Sequence, residues 1–141
     1  MKKIIIVFLM MFLLTGCSNT EINGTSMQFI DINNHLVYDS YTHVVYINNY
    51  TYYGNMVRTP YYDTNGNIVI YDGENINFDV EHINDLHVYD LNTHIVYIEN
   101  YTYYGNNVYT PYYDQNGKTC KYDVESNKVI PICNNTEISI E

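Results

Sequence analysis

The chain contains the same sequence twice. Residues 38–72 and 89–123 align without a gap, 51 positions apart, and 24 of the 35 aligned positions are identical. A duplicated segment of this size is one small structural unit, and such a unit must bury its apolar side chains against a neighbour. The repeat therefore predicts two similar units whose hydrophobic faces share a core.

Residues 1–16 have the features of an export signal. Lys2 and Lys3 precede an unbroken apolar run over residues 4–14. A run of this length matches the hydrophobic part of a secretory signal and is too short to span a bilayer as a helix. We therefore predict a signal peptide over residues 1–16.

The motif that follows is Leu14-Thr15-Gly16-Cys17. It resembles the lipobox of bacterial lipoproteins, and this resemblance implies cleavage before Cys17 and lipid attachment to Cys17. The alternative is a buried core cysteine. Two acyl chains anchor a protein stably where one chain is marginal. The expected location is the extracytoplasmic face of the cell membrane.

The mature chain is strongly acidic. Loss of the leader leaves four Lys and Arg against 16 Asp and Glu, a net charge of −12. Such a charge argues against a nucleic-acid partner and disfavours binding through charge to anionic polymers or lipid headgroups. We expect a partner that is neutral, cationic or bridged by metal ions.

The composition favours strands. The chain has no alanine and 18 tyrosines, with many Val, Ile and Thr residues, and these residue types fit pleated sheets. We predict an all-β fold of two tandem antiparallel β-meander units of about 46 residues, each marginal alone, plus a closing C-terminal strand. The predicted divisions are 1–16 signal peptide, 17–26 lipidated cysteine and tether, 27–77 unit 1, and 78–141 unit 2 with the closing strand and tail.

Each unit should contain five strands. They are expected at 27–31, 35–39, 43–49, 57–63 and 67–71, and again at 78–82, 86–90, 94–100, 108–114 and 118–122. Asp39 and Asp90 open turns by accepting backbone N–H groups, while Asn65-Gly66 and Asn116-Gly117 suit tight hairpins. We expect the last strand of each unit to pair with the first strand of the next, so that 118–122 pairs with 129–133.

Two cysteines can meet in that last pair. If Ser126-Asn127 is a two-residue turn, Cys120 lies opposite Cys133, and a cross-strand disulfide can form after export. A one-residue change in register would place the two side chains on opposite faces. Two free buried thiols, or a catalytic or metal-binding role, remain as alternatives.

The strongest candidate for binding is a repeated tyrosine cluster. Its members are Tyr50, Tyr52, Tyr53, Tyr61 and Tyr62 in copy one and Tyr101, Tyr103, Tyr104, Tyr112 and Tyr113 in copy two. Alternation along a strand places these rings on both faces. Exposed tyrosines suit sugar rings or protein interfaces. The alternative is that they pack across strands as good strand formers.

Other motifs point to structural roles. His43 and His94 are equivalent, but each lacks a second His or Cys at metal-ligand spacing. The stretch Asp63-x-Asn65-Gly66 resembles the start of a calcium loop without its later ligands. No serine has a nucleophile-elbow context, and nothing places paired carboxylates across a cleft. We expect no metal, no cofactor and no enzymatic activity.

The repeated pattern D-x-x-T-x-V-x-Y, then G, T-P and D-x-x-G, covers most of each unit. In copy one it comprises Asp39, Thr42, Val44, Val45, Tyr46, Gly54, Thr59, Pro60, Asp63 and Gly66. The pattern resembles a family of short uncharacterised β modules of bacteria and their phages. That resemblance implies a small β-rich fold and supplies no catalytic residues.

Two functions are consistent with these features. The first is a lipid-anchored, non-catalytic binding module in which the duplicated hairpins give two equivalent sites for a glycan or wall polymer. The second is a protein-interaction or structural surface lipoprotein, including a prophage-encoded one that excludes a second phage.

Overall fold

A computed structural model describes residues 28–51, 53–101 and 107–132. These residues form strands, turns and loops, and no helix among them is long and apolar enough to cross a membrane. The strands are β1 (Phe29–Asp31), β2 (Leu36–Asp39), β3 (Val45–Tyr50), β4 (Met56–Pro60), β5 (Val80–His82), β6 (His87–Asp90), β7 (Val96–Tyr101), β8 (Asn107–Pro111), β9 (Cys120–Asp123) and β10 (Lys128–Pro131). The predicted all-β class is confirmed.

Each copy of the repeat forms one four-stranded antiparallel sheet. The strand orders are β1-β2-β3-β4 in unit 1 and β5-β6-β7-β8 in unit 2, and β9 pairs with β10 in a separate hairpin. Both sheets are meanders in which consecutive strands are neighbours. This confirms the expected pair of tandem meander units, but each sheet has four strands instead of five, because the segment expected as the fifth strand forms only isolated bridges in unit 1 and joins the separate β9–β10 hairpin in unit 2.

Aspartate side chains organise the turns, as expected. Asp39 Oδ1 accepts the N–H of Tyr41 at 2.8 Å, and this backbone hydrogen bond lowers the pKa of the Asp39 carboxyl. Asp63 Oδ1 accepts the N–H groups of Asn65 and Asn67, both at 2.8 Å. These carboxylates therefore satisfy backbone donors that the turns leave unpaired.

Two histidines expected at strand starts belong to turns instead. His43 and His94 have φ angles of 59° and 62°, in the left-handed region that histidine tolerates better than most residues. Each donates its N–H to the backbone O of the aspartate four residues earlier, at 2.7 Å. The strands consequently begin two residues later, at Val45 and Val96.

The expected pairing between the end of unit 1 and the start of unit 2 is wrong. Residues 67–71 form isolated bridges within their own unit, between Ile68 and Tyr62 and between Ile70 and Val44. In the described residues β5 pairs with β6 and with no segment of unit 1. The connecting chain is thus free to insert Phe78 between the two sheets.

The expected pairing at the end of unit 2 occurs, but in another register. Cys120 lies opposite Pro131, because a four-residue turn over 124–127 replaces the predicted two-residue turn. Asp123 Oδ1 accepts the N–H of Glu125 at 3.2 Å and so opens this turn. Cys133 lies outside the described residues. Cys120 is buried with a free thiol, and its burial raises its pKa.

The two sheets share one hydrophobic core. Its buried members are Leu36, Val45, Ile47, Tyr61, Phe78, Val88, Ile95, Tyr97 and Ile132. The Phe78 ring lies among three tyrosines, with centroid distances of 6.1 Å to Tyr61, 5.6 Å to Tyr97 and 5.1 Å to Tyr109. These are edge-to-face contacts between large apolar rings. Each unit therefore depends on the other to complete its core.

The sheets meet through unlike faces. Side chains alternate across a strand, so the pairing registers divide each sheet into two faces. Face A carries Leu36, Val45, Ile47, Asn49 and Thr59 in unit 1, and His87, Val96, Ile98, Asn100 and Thr110 in unit 2. Face B carries Tyr46, Asn48, Arg58 and Pro60 in unit 1, and Tyr97, Glu99, Tyr109 and Pro111 in unit 2.

Burial shows which faces are in contact. On face A, Ile47 of unit 1 is 1% exposed, whereas its equivalent Ile98 in unit 2 is only half-buried. On face B, Tyr97 of unit 2 is 0% exposed, whereas its equivalent Tyr46 in unit 1 is half-buried. Face A of unit 1 therefore packs on face B of unit 2, and we call this contact the seam.

Candidate functional site

The tyrosines of the repeated cluster occupy different environments. Tyr61 is buried, Tyr62 and Tyr112 are half-buried, and Tyr50, Tyr53, Tyr101 and Tyr113 are exposed. Tyr52, Tyr103 and Tyr104 lie outside the described residues. The structure thus does not gather the described tyrosines into two equivalent aromatic surfaces.

Tyr61, one of the candidate binding residues, is a core residue in this structure. It is 2% exposed, and its hydroxyl donates to Asp90 Oδ2 at 2.7 Å. Burial, together with the charge of Asp90, raises the pKa of Tyr61. This hydrogen bond joins the two units and leaves no ring surface for a ligand.

Tyr62 and Tyr113 connect the two copies directly. They are equivalent residues, 51 positions apart, and their hydroxyl oxygens are 3.0 Å apart. Burial and this hydrogen bond raise the pKa of Tyr62. The pair supports the contact between the units beside the Asn-Gly turns.

Two side chains of unit 1 hold the edge of unit 2. Thr59 Oγ1 donates to the backbone O of Tyr109 at 2.7 Å, and the Tyr109 N–H donates to Asn49 Oδ1 at 3.2 Å. Asn49 Nδ2 in turn donates to Thr59 Oγ1 at 3.0 Å. Tyr109 lies on the edge strand β8, whose outward backbone groups have no strand partner. The seam satisfies those groups with buried side chains.

A groove of about 300 Å³ opens along the seam beside these bonds. We call it the seam groove. Its lining residues are Asn34, His35, Ile47, Asn48, Asn49, Tyr50, Asn107 and Tyr109. Among the described residues, the polar part of this lining consists of amides, phenols and one imidazole, with no lysine, arginine or carboxylate side chain. Such groups donate and accept hydrogen bonds without imposing a charge on a ligand.

Unit 1 supplies one wall of the groove. Tyr50 is 47% exposed at the end of β3, and its hydroxyl accepts from Asn48 Nδ2 at 3.3 Å. The Asn48 Oδ1 atom is enclosed and has no hydrogen-bond partner among the described residues. An enclosed acceptor without a partner costs about 1–3 kcal/mol.

Unit 2 supplies the other wall through Asn107 and Tyr109, and a buried carboxylate holds Asn107 in place. Glu99 is 2% exposed, and its Oε1 accepts from Asn107 Nδ2 at 2.6 Å while its Oε2 lies 2.7 Å from His82 Nε2. The Tyr101 hydroxyl lies 3.0 Å from the same His82 nitrogen, and the Glu99 carboxylate raises the pKa of Tyr101. Glu99 therefore fixes Asn107 at the groove.

Sequence reasoning missed this wall, although the repeat contained a signal for it. In the hairpins β3–β4 and β7–β8 the two copies differ at only three positions, and these are Asn48/Glu99, Met56/Asn107 and Arg58/Tyr109. All three lie on face B. In unit 2 the seam covers face B. In unit 1 face B points away from the seam, and the other sheet does not cover it. Comparison of the copies by strand face would have singled out Glu99, Asn107 and Tyr109.

Comparison with known proteins finds no family model, no curated protein and no solved structure that matches this chain. The geometry of the seam groove is therefore the basis on which a function is argued.

Proposed function

We propose that this protein is a lipid-anchored, non-catalytic binding protein of the extracytoplasmic membrane face, and that its seam groove binds a neutral glycan such as a cell-wall polymer. The observation that carries the proposal is the groove lining of four asparagines and two tyrosines without a charged carboxylate, lysine or arginine. Sugars present hydroxyl groups around apolar ring faces, and amides and tyrosine rings complement both.

The charge of the chain supports a neutral ligand. The formal net charge is −10 for all 141 residues and becomes more negative if the leader is removed. Anionic polymers are repelled by such a protein. A neutral sugar chain is not repelled by this charge.

The binding test is cosedimentation of the chain from Ser18 onward with purified peptidoglycan-containing cell walls, with free glycans as competitors. This segment retains every residue that the structure describes. We expect saturable binding that the glycans compete. An absence of binding, or binding that no glycan displaces, would contradict the proposal.

A matched pair of variants connects binding to the seam groove. Tyr50→Ala removes a groove ring, whereas Tyr41→Ala removes a ring that is 59% exposed and does not line the groove. We expect Tyr50→Ala to weaken binding about tenfold, which corresponds to about 1.4 kcal/mol, and Tyr41→Ala to bind like the unchanged chain. Equal effects of the two substitutions on binding would contradict the assignment of the seam groove as the binding site.

The anchoring part of the proposal has its own test. Cys17→Ala removes the acceptor for the lipid, so the protein should move from the membrane fraction to the culture medium or the periplasm. Retention of the variant in the membrane fraction at the unchanged level would contradict lipid attachment at Cys17.

A protein partner is the second candidate function. Leu86 and Leu91 of unit 2 are 59% and 48% exposed, and the equivalent residues in unit 1 are the polar His35 and Ser40. Exposed leucines that replace polar residues favour a protein contact. If this contact excludes a second phage, cells lacking the gene, or carrying Leu86→Ser with Leu91→Ser, should form more plaques when challenged. Unchanged plaque counts would count against this function.

A further inference from the structure

We propose that face A of unit 2 binds face B of unit 1 of a second copy of this chain, so that the protein associates head to tail. The seam already joins one face A to one face B within the chain. At the two ends of the stack, face B of unit 1 and the part of face A of unit 2 around Ile98, Asn100 and Thr110 have no second four-stranded sheet on them among the described residues. Val96, also on face A of unit 2, is buried.

Face A has nearly the same composition in both units. The seam residues Ile47, Asn49, Thr59 and Tyr61 of unit 1 correspond to Ile98, Asn100, Thr110 and Tyr112 of unit 2, and each pair is identical. In unit 1 these four residues are buried, whereas Asn100 and Thr110 are exposed and Ile98 and Tyr112 are half-buried. In the described part of the chain, unit 2 thus presents the Ile98, Asn100 and Thr110 part of the seam-forming surface without a four-stranded sheet on it.

Two polar bonds of the seam are made to backbone atoms of the partner strand. Asn49 and Thr59 bond to the N–H and the C=O of Tyr109, so the identity of the side chain at that position does not affect these two bonds. Arg58 is the equivalent of Tyr109 and lies on β4, the edge strand of unit 1, in the same register. Its backbone N–H and C=O can therefore bond to Asn100 and Thr110 of a second copy.

A cavity lies between face A of unit 2 and the hairpin of β9 and β10. This cavity of about 420 Å³ is bordered by His87, Tyr112, Cys120, Val129 and other residues. At the equivalent place in unit 1, Phe78 of the following unit packs against the Tyr61 ring. Val129 has the position of Phe78 in the repeat and is smaller, so the place is only partly filled.

An interface of this kind is heterologous and does not close on itself. Each copy would offer one free face A and one free face B, which gives chains of copies instead of a symmetric dimer. The copies repel one another because all carry a negative net charge, so added salt should strengthen the association by screening. Attachment to one membrane would raise the local concentration of copies in the same way that tethering does.

The test uses analytical ultracentrifugation of the chain from Ser18 onward at increasing concentration and salt. A first variant, Asn100→Arg with Thr110→Arg, blocks face A of unit 2 at exposed positions. A second variant, Arg58→Pro, removes the outward N–H from the edge strand β4, where proline is tolerated. Circular dichroism confirms that each variant folds, and Thr110→Val replaces the first variant if the arginines disturb the sheet.

We expect the average mass of the unchanged chain to rise continuously with concentration, and each blocked variant alone to stay monomeric. An equimolar mixture of the two blocked variants should give dimers and nothing larger. The second variant keeps an unblocked face A, the first keeps an unblocked face B, and these two faces can pair only once. A monomeric unchanged chain at all concentrations, association that both variants retain, or a mixture without dimers would each overturn the proposal.

Discussion

Single side chains at the seam have different roles from their equivalents in the other copy, and this difference can be tested by substitution. Thr59 is 7% exposed and bonds to both Tyr109 and Asn49, whereas Thr110 is exposed. Thr59→Val leaves the Tyr109 carbonyl without its donor. We expect it to lower the free energy of unfolding by about 1–3 kcal/mol, and Thr110→Val to change it by no more than about 0.5 kcal/mol.

Chemical denaturation of both variants at one concentration measures this difference. The concentration is kept low so that self-association does not contribute to the measured stability. Equal losses in the two variants would show that the Thr59 bond does not hold the seam.

Buried tyrosines make the stability sensitive to alkaline pH. Burial raises the pKa of Tyr61 and Tyr97 above the ordinary value near 10. Below pH 10 both states keep these protons, so the full stability is present. Above pH 10 the unfolded chain loses protons that the folded chain keeps, so stability falls by about 1.4 kcal/mol per pH unit for each such tyrosine.

Denaturant unfolding at a series of pH values checks this dependence. Tyr61→Phe removes one titrating group, so its stability should fall less steeply above pH 10 than that of the unchanged chain. Identical slopes would mean that Tyr61 ionises as readily in the folded state as in the unfolded state.

Among the structural elements, the two Asn-Gly hairpins make an informative pair. Gly66 and Gly117 both have a φ of 76°, so an added Cβ causes the same backbone strain in each. A Cβ at Gly66 would lie 2.3 Å from Thr119 Oγ1 and 3.1 Å from Ile132 Cδ1, whereas a Cβ at Gly117 meets nothing within 4 Å. The unit 1 hairpin approaches unit 2 closely, and its counterpart has no such neighbour.

Alanine substitution separates strain from contact. We expect Gly117→Ala to cost about 1–2 kcal/mol from the left-handed backbone alone, and Gly66→Ala to cost clearly more because Thr119 or the backbone must move. Thermal unfolding of the two variants measures the difference. Equal losses would contradict the close approach of the Gly66 turn to unit 2.

The strands and turns were largely predictable because their signals are local. Alternating apolar residues indicated β2, β3, β6 and β7, and the aspartate and Asn-Gly turns formed where their chemistry required. The register of β9 and β10 was predicted wrongly because the turn that begins after Asp123 is four residues long instead of two. A turn opened by an aspartate also occurs after Asp39 and after Asp90. Asp123 could therefore have indicated the longer turn in the sequence.

At the scale of the whole molecule, the duplication predicted a shared core but not which faces form it. The local sequence patterns are nearly identical in the two copies. They therefore cannot predict that face A of one unit packs on face B of the other. That choice depends on long-range contacts such as those of Phe78, which lies in the connection between the units. The seam groove, which is built by both units, was consequently beyond a strand-by-strand interpretation.

The two units form one body through the seam, and both proposed surfaces depend on this contact. Amide hydrogen exchange of the chain from Ser18 onward, measured at increasing low concentrations of denaturant, tests this claim directly. We expect the slowest amides of β3 in unit 1 and β7 in unit 2 to open with the same free energy and the same denaturant dependence. Independent opening of the two strands, with different free energies, would contradict the single shared core.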